Sequence, residues 1–483
     1  MMFVALFVSR VLLKNLGVDD FGIYNVVGSI VVLFSFFNTA MTASSQRFIT
    51  FELGKKNIKR ANDIFCSSVT VQLIFAIVVI FIVEIVGLWF LNNKLNLPIE
   101  RINAANWAFQ FSILTFCIGM LRVPFEASVI ANERMSFFAY ASIFDSIFKL
   151  GIALSLGFCG YDRLVLYAML LFFENLLILT LFVFYCKCNF NICRLHFLFD
   201  KEMYRELLTF GGWNLLGSSA NVATQKGFVF LLNVFYGVTV NAAFGIANQV
   251  NAAVSSFIGS FQTSYKPQIV KLYAQDDVTY LKELITRTSK MSFALMIIPT
   301  SILIFNMPFI LKIWLSNVPN YAVNFCQIIL LCAIVDAVTG PYNAAIIASG
   351  TIKFYEVCIC FSFTLDLIVS FYLIKTGLPP YLVLISRLTT RGFLNMFIGL
   401  FFLHRLIRFN VKEYIKNCII PIALIIVVVA PVPSFLYSRM ENIMMLVFST
   451  LYFIIVLFPL LYFVLLDKQE RKLAKALIRK QKR

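Results

Sequence analysis

The sequence has 483 residues, of which 60% are hydrophobic and 13% are charged. Soluble globular domains carry about 25% charged residues, so this composition excludes a water-soluble globule and indicates a membrane protein. The net charge of +17 is typical of loops that face anionic lipid headgroups, and we expect no nucleic acid partner. Eleven cysteines and two histidines match neither a disulfide framework nor a zinc site, so we expect reduced thiols and no metal or cofactor.

Apolar runs predict an all-α protein with about 14 transmembrane helices, since roughly 20 apolar residues cross a bilayer and the runs are too continuous for barrel strands. In chain order the predicted spans are 1–13, 23–46, 64–91, 104–132, 137–158, 164–185, 210–235, 242–265, 291–314, 321–349, 354–374, 380–403, 418–436 and 443–466. The first run is too short to cross a bilayer, so further residues are expected upstream of Met1.

Basic residues are distributed unevenly between alternate loops. One set of loops, which includes the C-terminal tail, holds 27 Lys and Arg residues, and the opposite set holds seven. The richer set is expected to face the cytoplasm, which puts both termini inside. The longest segments between spans, 186–209 and 266–290, are basic and have a helical pattern, and we expect them to lie along the inner membrane surface.

Two short segments recur at nearly constant spacing. GIYNVV from Gly22 returns as GIANQV from Gly245, and PFEASVIAN from Pro124 returns as PYNAAIIAS from Pro341. Such spacing predicts two six-helix pseudo-repeat bundles around a central cavity, related by an axis along the membrane normal. Chance similarity between apolar helices is the alternative. The predicted domains are bundles at 1–186 and 210–404, a cytoplasmic linker at 187–209, two additional helices at 405–466 and a basic tail at 467–483.

Fourteen charged residues remain inside the predicted spans. A charge at the bilayer centre costs at least about 2.5 kcal/mol, so these residues require a polar interior or partners. Arg122 with Glu126, and Asp145 with Lys149, are four residues apart and predict ion pairs along one helix.

Several deep charges have no partner on their own helix. Arg387 and Arg391 share one helix face and one sign, so that face requires an anion, which is either a protein carboxylate or a ligand phosphate. The repeat aligns Glu174 with Arg391 and Lys149 with Asp366, which suggests salt bridges between the bundles.

The cations assigned to a cavity-facing role are Lys149, Lys226, Arg387 and Arg391. The acids for which proton or cation coupling competes with pairing are Asp145, Glu174 and Asp366.

Several motifs resemble those of bacterial O-antigen (Wzx-type) flippases, which belong to the multidrug/oligosaccharidyl-lipid/polysaccharide exporter superfamily. They are Ser9-Arg10, LGVDDFGIYNVV at 16–27, QRFIT at 46–50, ANQV at 247–250 and PQIVK at 267–271. The resemblance covers essentially the whole chain. It implies two six-helix bundles facing a central cavity, with two extra C-terminal helices in the longer members.

The resemblance also implies a function, which is transport without chemistry. Related flippases move an undecaprenyl-pyrophosphate-linked oligosaccharide across the bacterial inner membrane, and arginines and lysines receive its headgroup. Arg10 and Arg47 lie within the matched motifs and are expected to bind substrate. Expected partners are the lipid-linked glycan, membrane lipids and the polysaccharide polymerase machinery, with net export driven by H+ or Na+ coupling or by product removal. The alternatives are a cation-coupled multidrug exporter and an assembly component without transport activity.

Overall fold

The computed structural model describes residues 7–8, 11–12, 14–17, 20–24, 27, 35–89, 99–158, 162–196, 200–315, 318–429, 443–467 and 470–472. Every regular element in these ranges is helical. The α-helices are α1 (Ser35–Gly54), α2 (Ile58–Ile82), α3 (Ile102–Ala131), α4 (Met135–Ser155), α5 (Arg163–Asn189), α6 (Lys201–Tyr236), α7 (Val238–Ala274), α8 (Val278–Trp314), α9 (Ala322–Ser349), α10 (Lys353–Lys375), α11 (Pro380–Arg387), α12 (Leu394–Ile407), α13 (Val411–Tyr414), α14 (Ile420–Val429) and α15 (Ile443–Leu460). Eight helices in the described part are long and apolar enough to span a bilayer, as a multi-pass membrane protein requires.

Short π segments join some of these helices. Leu388–Phe393 connects α11 to α12 without a break, so 380–407 forms one continuous helical run, and Ile415–Ile419 connects α13 to α14 in the same way. A π turn adds one residue to the helical ladder and is frequent at functional sites. The first of these segments carries Arg391, one of the predicted site residues.

Equivalent turns support the internal repeat. The α1–α2 turn contains Lys56 in a left-handed conformation (φ 59°), and the α7–α8 turn contains Asp276 in the same conformation (φ 56°). The next residue in each turn, Asn57 or Asp277, caps the following helix by accepting a hydrogen bond from a backbone N–H. The same local geometry therefore recurs 220 residues along the chain, close to the spacing of the repeated segments.

The chain folds into two compact units, Met1–Ser218 and Ser219–Arg483. The same packing scheme is found in both. In the first unit α3 packs against α1, α2 and α5, and in the second unit α9 packs against α7, α8 and the α11–α12 run. Both central helices bury residues along their whole length, including the equivalent prolines Pro124 and Pro341. Each unit therefore has its own hydrophobic core built around its central helix.

The additional C-terminal helices belong to the second unit, and α15 packs on α8. The Phe453 ring of α15 stacks on Phe305 with centroids 5.0 Å apart, and Ser449 donates a hydrogen bond to Asn306 at 3.0 Å. Beyond α15, Asp467 Oδ2 accepts a hydrogen bond at 2.6 Å from Lys290 Nζ, which is buried. Apolar, polar and ionic contacts thus hold α15 along much of the length of α8.

The expectation that 266–290 is helical is confirmed, apart from a short turn, and its position along the membrane surface stays a prediction. α7 continues to Ala274 and α8 begins at Val278, so only three residues separate two helices of 37 residues each. At about 1.5 Å per residue, each helix is roughly 55 Å long and exceeds the bilayer core of about 30 Å. Hydropathy detects only the apolar part of such a helix, which is why the predicted spans stopped short of the turn. In the same way, the segment 186–209 contains the end of α5 and the beginning of α6.

Candidate functional site

The exposed faces of the helices in the second unit differ in polarity. α10 exposes large apolar side chains, as a lipid-facing helix does: Phe354, Val357, Phe361, Ile368 and Tyr372. α7 exposes mainly polar and small side chains over several turns, among which are Gln249, Ser255, Ser256, Ser260 and Ser264. Hydrocarbon solvates such groups poorly, so this face of α7 is suited to water or to a polar ligand.

A buried ion pair lies inside the second unit. Asp366 of α10 is completely buried, and its Oδ2 lies 3.3 Å from Nε of Arg387 at the end of α11. Thr390 donates a hydrogen bond to the other carboxylate oxygen at 2.8 Å. The π segment is held in turn by Ser362, which donates to the Thr390 carbonyl at 3.1 Å. Arg387 therefore has a protein carboxylate as its anion.

Arg391 has a different environment from Arg387. Its Nη2 donates a hydrogen bond of 2.7 Å to Asn221 Oδ1 on α6, and its guanidinium lies 4.9 Å from the centre of the Phe363 ring. Both partners are neutral. Within the described ranges, no carboxylate oxygen lies within 4.0 Å of this guanidinium, so its charge is balanced less directly than that of Arg387.

A recess of about 170 Å³ opens beside Arg391. Its polar lining comes from α9, α10 and the α11–α12 run, and includes Asp336, Thr339, Asn343, Tyr355, Arg391 and Asn395. Asp336 is exposed, so the recess is open to the surface of the unit. Asp336 lies within the predicted span 321–349, but the sequence gave it no role, because Arg391 and Asn395, which line the same recess, are more than 50 residues away.

A second charged cluster lies in the first unit. The predicted i,i+4 ion pairs are confirmed: Arg122 Nε lies 2.9 Å from Glu126, and Lys149 Nζ lies 2.8 Å from Asp145. Glu174 of α5 is completely buried, accepts a hydrogen bond of 2.8 Å from Asn175, and lies near Asp145. The cluster thus brings three carboxylates together with two cations.

Lys149 and Asp366, which the repeat aligns, therefore each have an oppositely charged partner within their own unit. Glu174 has an amide and a carboxyl group as neighbours. The salt bridges between the bundles that the repeat suggests, Glu174 with Arg391 and Lys149 with Asp366, stay predictions. The role of Asp145, Glu174 and Asp366 in ion coupling also stays a prediction.

The remaining predicted cations are placed differently from one another. Arg47 on α1 is 8% exposed, and its guanidinium lies 4.4 Å from the ring centre of Phe48 and 4.7 Å from that of Phe51. Lys226 is exposed on α6, the helix that carries Asn221. Arg10 lies outside the described residues. The substrate-binding role of all three stays a prediction.

Asp20, within the LGVDDFGIYNVV motif, belongs to an ion-pair network. It pairs with Arg101, which precedes α3, and Arg101 Nη1 also donates to Asp162 Oδ2 at 2.6 Å. Asp162 is itself the N-cap of α5. The hydrogen bond from Arg101 to Asp20 raises the pKa of the guanidinium, which keeps it fully charged. Through Asp20, the motif therefore belongs to a network that joins three segments of the chain within the first unit.

The fold is similar to solved structures of transporters. A MATE in complex with MaL6 gives a TM-score of 0.71 at 11% identity, over 84% of this chain and 92% of the other. A MOP superfamily transporter from Pyrococcus furiosus gives 0.72 at 12% over 84% and 94%. An outward-facing multidrug resistance MATE family transporter of the MOP superfamily gives 0.70 at 13% over 84% and 92%. No protein-family model and no curated protein matches the sequence. The chain therefore has the fold of MATE and MOP superfamily transporters.

Proposed function

We propose that the chain is a flippase that carries an undecaprenyl-pyrophosphate-linked oligosaccharide, such as an O-antigen or other surface-polysaccharide repeat unit, across the bacterial inner membrane by alternating access. The observation that carries this proposal is the exposed polar face of α7, which contrasts with the apolar face of α10. A hydrophilic glycan can pass along such a face, while its polyprenyl tail remains in lipid. The likeness to solved transporter structures supports the transport step.

Arg391 supports an anionic headgroup as part of the substrate. Its partners in the described part of the chain, Asn221 and Phe363, leave its positive charge available. A guanidinium forms paired hydrogen bonds with phosphate oxygens, so it suits a pyrophosphate. The Pyrococcus furiosus transporter of similar fold is described by a binding pocket of reverse polarity, so the fold itself leaves the charge of the substrate open.

Net export requires an energy source. A protein that binds the lipid-linked glycan equally well from either leaflet cannot by itself move it against its concentration gradient. The proximity of Asp145 to Glu174 supports proton coupling, since two neighbouring carboxyl groups are stabilised by a shared proton. Removal of the product by the polymerase machinery is the alternative source.

The test compares Arg391→Ala with Arg405→Ala, a matched loss of an exposed arginine at the end of the same helical run. Both variants are expressed to equal levels in cells lacking the chromosomal copy. We expect Arg391→Ala to accumulate lipid-linked glycan in the inner leaflet and to lower surface polymer, and Arg405→Ala to behave as wild type. Arg387→Ala is unsuitable, because it would leave the buried Asp366 carboxylate without its cation.

Deletion of the whole gene provides the decisive control. If deletion leaves both the surface polymer and the lipid-linked intermediates unchanged, the flippase proposal is wrong. If only Arg391→Ala is without effect, the flippase proposal survives and the role of Arg391 in headgroup binding is rejected.

Cation-coupled multidrug export is the second candidate. The excess of carboxylates over cations in the first-unit cluster favours a positively charged drug. One solved structure with this fold is described as a multidrug resistance transporter. Deletion would then raise the sensitivity of the cells to cationic compounds and leave their surface polysaccharide unchanged.

A further inference from the structure

We propose that the recess beside Arg391 is a subsite for one neutral sugar ring of the transported glycan. This inference rests on the proposed flippase function and adds a location and a ligand chemistry to it. The recess lies wholly within the second unit, and its lining groups come from α9, α10 and the α11–α12 run. Its charges, its hydrogen-bonding groups and its size point to the same kind of ligand.

The charges in the recess disfavour a simple ion. Asp336 and Arg391 both line it, and their charged groups are more than 4.0 Å apart, beyond the distance of an ion pair. An ion enclosed in the recess would meet a like charge, which is the guanidinium for a cation and the carboxylate for an anion. The guanidinium has five N–H donors, so Arg391 can still bind the headgroup phosphate outside the recess. A neutral ligand that both donates to Asp336 and accepts from Arg391 meets neither penalty.

The other polar groups in the recess alternate between donors and acceptors. Tyr355 donates to Asn343 Oδ1 at 2.7 Å, which leaves the Asn343 amide hydrogens for a ligand. Thr339 donates to the Asp336 carbonyl at 3.1 Å, which leaves its hydroxyl oxygen as an acceptor. Asn395 Oδ1 is buried without a hydrogen-bond partner in the described part of the chain. Sugar hydroxyls both donate and accept, so adjacent hydroxyls fit this lining.

Asn395 adds an acceptor without a partner in the described part of the chain to the lining of the recess. A buried acceptor without a partner costs about 1–3 kcal/mol, so native structures normally provide a partner for it. The Asn395 side chain lines the recess, so a rotation of its amide brings this acceptor to water in the resting protein or to a ligand hydroxyl during transport.

The size of the recess limits the ligand to about one ring. A volume of about 170 Å³ is smaller than the roughly 300–1,000 Å³ of sites for drug-sized ligands. It is also several times the roughly 30 Å³ that one water occupies in the liquid. Phe363 and Ile359, both buried, supply an apolar wall of the kind that packs against the C–H groups of a sugar ring.

The experiment uses saturation-transfer NMR to detect binding of glycosides to the purified full-length protein in detergent. The ligands are a panel of methyl glycosides of common neutral hexoses and N-acetylhexosamines. We expect at least one glycoside to receive saturation from the protein. Asn395→Leu removes the unsatisfied oxygen at nearly constant volume and is expected to weaken this binding at least about tenfold, as is Asp336→Asn. The control is Asn233→Leu, the same substitution at an exposed position of α6 outside the recess, which is expected to bind as wild type.

Two results would overturn the subsite. One is that no glycoside binds to protein whose thermal unfolding is that of the wild type. The other is that binding persists unchanged in both recess variants, which would locate it elsewhere. Binding of sodium, inorganic phosphate and glycine is measured in parallel from the shift that each causes in the thermal unfolding of the protein. A shift with any of these in place of glycoside binding, lost in Asn395→Leu, would assign the recess to an ion or an amphoteric ligand.

Failure of this inference is distinguishable from failure of the flippase proposal. If gene deletion causes lipid-linked glycan to accumulate and no glycoside binds the recess, the transport function stands and the subsite is rejected. If glycosides bind and deletion has no effect on the polysaccharide, the recess is a sugar site in a protein with another function.

Discussion

Replacing Asp467 and Glu470 with their amides is predicted to destabilise the protein far more than replacing their common partner, Lys290, with methionine. Lys290 Nζ lies 2.6 Å from Asp467 Oδ2 and 3.4 Å from Glu470 Oε2. The Lys290 side chain is 1% exposed, whereas Asp467 is 64% exposed and Glu470 is 12% exposed. The three groups therefore differ greatly in how well water can solvate them when a partner is lost.

The magnitudes follow from this difference in burial. The Asp467→Asn/Glu470→Gln variant leaves an ammonium buried without a countercharge, which costs about 3–5 kcal/mol. Lys290→Met leaves one carboxylate that water solvates and a second that lies 4.0 Å from Arg287. Methionine also has nearly the volume of the lysine stem, so we expect a loss below about 1.5 kcal/mol. The difference between the two variants should exceed about 1.5 kcal/mol.

The assay is thermal unfolding of the purified full-length proteins in one detergent at pH 7, with Lys412→Met as a control for losing an exposed lysine. Lys412→Met is expected to melt at the wild-type temperature. Lys290→Met is expected to melt at a lower temperature, and the double amide variant at the lowest. Combining Lys290→Met with the double amide substitution should restore most of the lost stability, because no buried charge remains. Equal melting temperatures for the amide variant and Lys290→Met, or no rescue in the combination, would refute the reasoning.

Two further predictions concern packing and the ion-pair network of the first unit. Gly399→Ala places a Cβ against the ring of the buried Tyr342 and should lower the free energy of unfolding by about 1–3 kcal/mol. The Cβ of Gly392→Ala meets no atom nearer than 3.6 Å, so this variant should lose less stability. Equal melting temperatures for the two variants would contradict this prediction. Arg101→Ala leaves the buried Asp20 without its cation and should cost about 1–3 kcal/mol, and an unchanged melting temperature would show that Asp20 is hydrated instead.

Local patterns in the sequence were enough to predict the helices and some of their contacts. Apolar runs of span length occur at the positions of the helices, because a helix in hydrocarbon must satisfy its backbone internally and cover itself with apolar side chains. The ion pairs Arg122–Glu126 and Asp145–Lys149 were predictable because residues four apart meet on one helix face whatever the rest of the fold does. Helix ends were less predictable, since hydropathy stops where a long helix leaves the membrane.

The partners of the other charges were decided by tertiary structure alone. Arg387 and Arg391 are equivalent in sequence, four residues apart and of one sign, yet one meets Asp366 and the other meets Asn221. Asp366 is 21 residues from its partner and Asn221 is 170 residues from its own. No spacing rule reaches that far, because such contacts depend on how α6, α10 and the α11–α12 run pack. Composition and sequence repeats determined a helical membrane protein with a repeated core, and packing determined which of its intramembrane charges meet an opposite charge and which meet only neutral side chains among the described residues.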